Sequence, residues 1–183
     1  MRISSEFIWG KSRLKSFKDM TTPNQRPIPG WIEKCSDRNQ LKTLIDRCSD
    51  KPDHVDVKTA ALRRYIGLAG LNFSDPLDQD FQRFLDAYEL QLAAKHGRRQ
   101  PAGYTRRMLN EGKTVVAILT DWALVPLDET TAGFATLIEA GLAEFLGEAI
   151  VLRHASRFEP HVVEAARRRL AHYGVDPAKV GQR

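Results

Sequence analysis

The sequence predicts an all-α protein: an irregular multi-helix bundle of about seven helices, preceded by an extended basic N-terminal arm. Apolar residues recur at helical spacing through most of the chain after residue 36. Ser, Thr or Asp stands before most of these runs and Gly after several of them, as helix starts and stops require. Only one run, "VVAILTDWAL", is rich in β-favouring residues, and it has no second strand candidate to pair with.

Residues 1–30 lack sustained periodicity and close with "TTPNQRPIPG", whose three prolines deny a regular helix. They read as a basic arm with a proline-rich linker, and Met20 offers an alternative start. The remainder divides by pattern into an N-terminal helical subdomain, 31–110, and a C-terminal one, 111–183. Ser36 is the expected cap of a first helix carrying Leu41, Leu44, Ile45 and Cys48 at i, i+3, i+4, i+7. Pro52 opens a second, with Val55, Ala61, Leu62, Tyr65 and Ile66 apolar and its end near Gly67 or Gly70. The strongest pattern runs from Ser74 or Asp75 to Gly97, with Phe81, Phe84, Leu85, Tyr88 and Leu92 as its stripe. A short helix is expected over Tyr104–Leu109. Thr114 caps the 115–124 run, which fits a buried helix through Val115, Ile118, Leu119 and Trp122. "DETTAGFATLIEAG" repeats the cap-then-helix pattern, "LAEFLGEAIVL" gives another short helix, and Pro160 to Gly174 bracket the last.

Of the 183 residues, 42% are hydrophobic and 28% charged, the balance of a soluble globular chain and too apolar for disorder. No apolar run reaches the roughly 20 residues that span a bilayer. The first twenty residues scatter charges through any apolar stretch, so a secretory leader is not expected. Two cysteines, Cys35 and Cys48, are too few for a disulfide framework, and the expected compartment is the cytoplasm. The net charge of +5 is unevenly distributed. Residues 95–113 hold six basic side chains against Glu111 alone, whereas 114–152 hold six acidic ones and no lysine or arginine. Charge clustered in this way bears on partners.

The positive cluster centres on "HGRRQPAGYTRRML", a connector between two helices. Arginine and lysine neutralise phosphates and an aromatic can stack on a base. The expected nucleic-acid contacts are therefore Arg98, Arg99, Tyr104, Arg106, Arg107 and Lys113, with Arg168 and Arg169 of the closing helix as auxiliaries. Arg106 and Arg107 sit where the helix dipole opposes cations, which hints at a purpose other than stability. The competing expectation is that the same arginines pair with the acidic 114–152 segment or are merely solvated.

Other constellations are weaker. Arg167 and His172 form R-x4-H, a spacing that resembles the motif of helical HEPN-type ribonucleases, where such a pair could activate an RNA 2′-hydroxyl. Two residues in a basic helix arise readily by chance, and they remain the only catalytic candidates. Asp53, Asp56 and Lys58 of "PDHVDVK" carry the residue types of a PD-(D/E)xK nuclease without its separation or its strand. Cys35 and Cys48, and His154 and His161, match no usual zinc spacing. Gly112–Thr114 is only the tail of a phosphate-binding loop. No metal or cofactor is expected. The aromatic positions Phe81, Phe84, Tyr88, Trp122 and Phe134 are expected to be core.

The strings "HGRRQPAGYTRRML", "DWAL" and "TAGFATLIEAGLAEFLGEAIVLRHASRFEPHVVEAARRRL" resemble a group of small, mostly uncharacterised bacterial proteins. The likeness covers about residues 31–175. It implies a bacterial cytoplasmic helical domain, encoded near restriction and mobile-element genes, and carries no activity, cofactor or catalytic residue with it. The leading expectation is a non-enzymatic nucleic-acid-binding protein, DNA favoured, that contacts the phosphate backbone without base readout. An assembly subunit pairing acidic with basic helical surfaces comes second, and a metal-independent ribonuclease third. No membrane partner is expected, and neither sequence preference nor oligomeric state is legible.

Overall fold

The computed structural model describes residues 27–181; the predicted basic arm lies almost wholly outside them. The described residues are helical, with no strand among them: ten α-helices, eight of them seven residues or longer. In order these are α1 (Trp31–Lys34), α2 (Arg38–Cys48), α3 (Val55–Gly67), α4 (Pro76–His96), α5 (Gly103–Asn110), α6 (Val115–Ala123), α7 (Ala132–Glu139), α8 (Gly147–Arg153), α9 (Pro160–His172) and α10 (Pro177–Val180).

Most starts follow the local chemistry read from the sequence. Asp75 accepts from the Leu77 amide and Pro76 occupies the first turn of α4. Thr114 caps α6 through the Ala117 amide, so the β-rich run is a helix, and Thr131 caps α7 through the Phe134 amide. The cap of α2 is Asp37, not Ser36: its carboxylate reaches two amides, of Asn39 and Gln40, where a serine hydroxyl would satisfy fewer. The single helix expected over 142–152 is broken. Ala143–Phe145 form a 3-10 turn, Leu146 is extended, and α8 restarts at Gly147.

The buried residues form one apolar cluster from Ile32 to Leu170, drawn from both halves of the predicted division. Helix α4 is central to it, touching α3, α6, α7 and α8. Its aromatic face explains this reach. Phe81 and Phe84 are buried, and the Trp122 ring of α6 lies 5.8 Å from Phe81 and 4.9 Å from Phe84, within the range of favourable aromatic pairs. Val55, expected on the apolar stripe of α3, is 52% exposed; Val57 is buried in its place, because Val55 is the first residue of the helix and lies before the packed turns.

A polar knot joins the N-terminal end of α4 to the end of α8. Asp80 is 6% exposed and accepts hydrogen bonds from Arg83 (2.6 Å) and Arg153 (2.8 Å), with His154 Nε2 3.2 Å away. Arg153 also donates to the carbonyls of Glu144 and Val180, so one guanidinium pins α4, the 3-10 turn and α10 together.

Candidate functional site

Helix α4 ends at Gly97, whose φ of 66° is the left-handed turn-off that a side chain would resist. The connector 98–102 then folds back along α4 into α5. Glu89 fixes this return. Its carboxylate accepts from the Ala102 amide at 2.9 Å and from Arg106 Nε at 2.5 Å. Burial alone would raise the Glu89 carboxyl, but those two hydrogen bonds and the charges of Arg106 and Arg99 outweigh it and hold it below the ordinary range. Arg106 is thereby committed to an internal pair. Its position near the start of α5, unfavourable for the dipole, is explained by Glu89.

The other connector cations differ. Arg98 and Arg99 are exposed, and among the described residues no carboxylate lies within ion-pairing distance of either. Arg107 is exposed, with Glu111 a loose 3.8 Å away and its guanidinium 5.3 Å from the Tyr104 ring centre. Tyr104 is 66% exposed. Lys113 pairs with Asp121, the one connector cation seen to join the acidic segment. The remaining carboxylates of that segment turn elsewhere: Glu144 to Arg63 and Glu148 to Arg169, while Asp128, Glu129 and Glu139 stand exposed.

Arg169 is a correction. It was expected as an auxiliary phosphate contact, yet it is fully buried at 0% exposure. Its terminal nitrogens donate to the carbonyls of Val125, Pro126 and Glu129, and its charge stands 3.0 Å from Glu148 Oε1, a close ion pair without an aligned Nε hydrogen bond. The guanidinium also lies 4.9 Å from the Phe134 ring centre. Three consecutive arginines project in three directions around α9, and the middle direction of the bundle claims the last. Arg167 and Arg168 are exposed. Arg167 is engaged by Glu164 at 2.9 Å, and His172 sits edge-on to Tyr173. Five residues apart, Arg167 and His172 lie about 140° apart around the helix.

Two concavities meet along the connector. One is an open groove of about 1310 Å³ between α2, the start of α3 and the second half of α4. Arg98 and Arg99 form one of its edges, and Lys51 and Lys58 face it from the α2–α3 turn and α3. No described carboxylate is within ion-pairing distance of these two lysines either, whereas Arg38 pairs with Asp86 and Lys42 with Asp46 in the same groove. The sequence reading missed Lys51 and Lys58. They are remote in sequence from the connector and stand among acidic residues, so only the packing of α3 beside α4 brings them near it. The other concavity is a cavity of about 380 Å³ under Gln100–Thr105, walled by Phe84, Tyr88, Trp122 and Phe134. Phe84 and Phe134 are core, as expected, whereas Tyr88 and Trp122 are partly buried against it, and all four wall the cavity.

Among the described residues no group of three or more His, Cys, Asp or Glu side chains is placed to hold a metal ion. No described helix is long and apolar enough to cross a membrane. Comparison with protein-family models, curated proteins and solved structures finds no match to this chain.

Proposed function

We propose that the chain is a non-enzymatic nucleic-acid-binding protein that holds the phosphate backbone in the groove between α2, α3 and the connector. The observation that supports this reading most is the set of four cations at that groove, Arg98, Arg99, Lys51 and Lys58, none with a carboxylate at ion-pairing distance among the described residues. With no carboxylate at ion-pairing distance, these side chains are open to a partner, and phosphates are a ligand that such a pattern suits. Arg107 and Arg168, both exposed, are outer contacts in the same reading.

Duplex DNA is the favoured polymer. The Tyr65 ring in the groove is covered by Arg38 at 4.0 Å, which leaves no free aromatic platform for stacked single-stranded bases there. Base-specific readout is not part of the proposal, because phosphate contacts position a protein without reading sequence. A cytoplasmic bacterial setting beside restriction or mobile-element genes belongs to the same proposal and rests on the resemblance of the connector and closing-helix strings.

The test is duplex binding between about 50 and 200 mM salt, where each neutralised phosphate contributes roughly −0.9 to the log–log slope. Four groove contacts supply about −3 to −4 of the slope, and replacing Arg98, Arg99, Lys51 and Lys58 by Ala should remove that share, leaving only what the outer contacts contribute. A quadruple variant that keeps the parental slope would sink the assignment. A second reading, assembly through the acidic surface, is favoured by the exposed and unpaired Asp128, Glu129 and Glu139.

A further inference from the structure

The 380 Å³ cavity under the connector combines apolar walls with one buried charge. Its rings are set by the core: Phe84 lies 4.9 Å from Trp122 and 6.1 Å from Tyr88, centre to centre. Glu148 is the one charged residue among those lining it, and it is 3% exposed. Arg169 stands behind this carboxylate and cannot swing away, because three backbone carbonyls and the Phe134 ring hold its guanidinium. Glu148 is therefore a buried, fixed acceptor among the residues that line the cavity. Burial raises its carboxyl to about 7 despite the opposing Arg169 charge, so its ionised form is under-solvated and gains from any further donor.

The surroundings narrow what would fill the cavity. Aromatic walls suit a planar ring, and a buried acceptor among them favours a ring whose edge carries hydrogen-bond donors. A full cation is disfavoured, since Arg169 already supplies positive charge beside Glu148, and Arg107 lies 5.3 Å from the ring centre of Tyr104, a lining residue. The Arg107 charge favours an anionic tail. A guanine ring meets these conditions, with adjacent N1–H and exocyclic N–H donors, whereas adenine and cytosine each set an acceptor beside their amino group.

We propose that this cavity binds a guanine ring, its donor edge on Glu148 and its phosphate beside Arg107. The site stands on its own lining and does not depend on the groove. The ring could come from a free guanosine nucleotide or from a base splayed out of a strand, and the experiment separates the two.

Calorimetry with guanosine, adenosine and cytidine monophosphates is one arm; single-stranded oligo-dT with and without one internal dG is the other. Preference for the guanine nucleotide by about tenfold or more identifies a free nucleotide as the ligand. Silence with mononucleotides, but a similar preference for the dG-containing strand, identifies a splayed base. Either preference should fall about tenfold in Glu148→Gln, which keeps the shape and loses the charge. It should vanish in Ala132→Phe, a plug at an exposed lining position that spares the core should Glu148→Gln fold poorly. Equal binding of the three nucleotides, no binding in either arm, or an Ala132→Phe variant that binds like the parent would overturn the proposal. The quadruple groove variant should lose most of its duplex salt slope while keeping the guanine preference, so failure of one reading is distinguishable from failure of the other.

Discussion

Asp80 and Glu148 are two buried carboxylates with opposite fates. At Asp80, burial raises the carboxyl, but the Arg153 charge and the hydrogen bonds from Arg153, Arg83 and His154 outweigh it and hold it below its ordinary value of 3.8. A depressed native value contributes stability above the unfolded value and loses it as pH falls through the native one. Asp80→Ala would leave Arg153, whose side chain is 7% exposed, without its charge partner, and should cost about 3–5 kcal/mol in urea unfolding at neutral pH. At Glu148 burial prevails, and the carboxyl rises from 4.5 to about 7. The sign is reversed: its contribution is fully present below about 4.5 and is lost as pH rises through about 7. Urea unfolding at pH 5 and pH 8 should show the loss, up to about 3 kcal/mol, and Glu148→Gln should remove that pH dependence. An unchanged difference between the two pH values in the variant would place the titration elsewhere. Neither role was legible in sequence. An Asp in the first turns of a helix and a Glu opening another look like ordinary dipole-favoured residues until packing shows what covers them.

Among the helices, α4 was the most legible and α8 the least. The former carries its own cap, proline, aromatic stripe and glycine stop, so local chemistry and tertiary packing agree. The latter is seven residues set by what surrounds it: Leu146 must extend, and Gly147 must be small, so that Trp122 and Leu119 can close over it. A Cβ on Gly147 would sit 2.8 Å from Trp122 Cε3 and 3.2 Å from Leu119 Cδ2. Gly147→Ala should therefore destabilise by about 1–3 kcal/mol, as overpacked cores do, despite the better helix propensity of alanine. Gly103→Ala, which meets nothing within 4 Å, is the control and should be near neutral by thermal melting. The connector itself was half legible. Its arginines were visible as a cluster, but their division depends on Glu89, which pairs with Arg106 and leaves Arg98 and Arg99 without a carboxylate at ion-pairing distance among the described residues; Glu89 is one of several acidic residues along α4.

At the scale of the whole molecule, the charge pattern leaves two faces with unmatched groups. One is the basic groove; the other is the exposed acidic set Asp128, Glu129 and Glu139. If these faces served to pair copies of the chain, their attraction would weaken with ionic strength, since exposed charges are screened beyond about 8 Å at physiological salt. If the groove serves phosphates, these exposed carboxylates instead repel the polymer from themselves and help orient its approach, an effect on association more than on affinity. The phosphate reading therefore expects the mass in sedimentation, without nucleic acid, to stay the same from about 50 to 500 mM salt. It also expects Asp128→Lys, Glu129→Lys and Glu139→Lys together to speed duplex association at low salt while leaving dissociation nearly unchanged. A larger species at low salt that dissolves at high salt, and is abolished by the same three reversals, would instead assign both faces to a contact between copies, with the groove cations already spoken for by the neighbour's carboxylates.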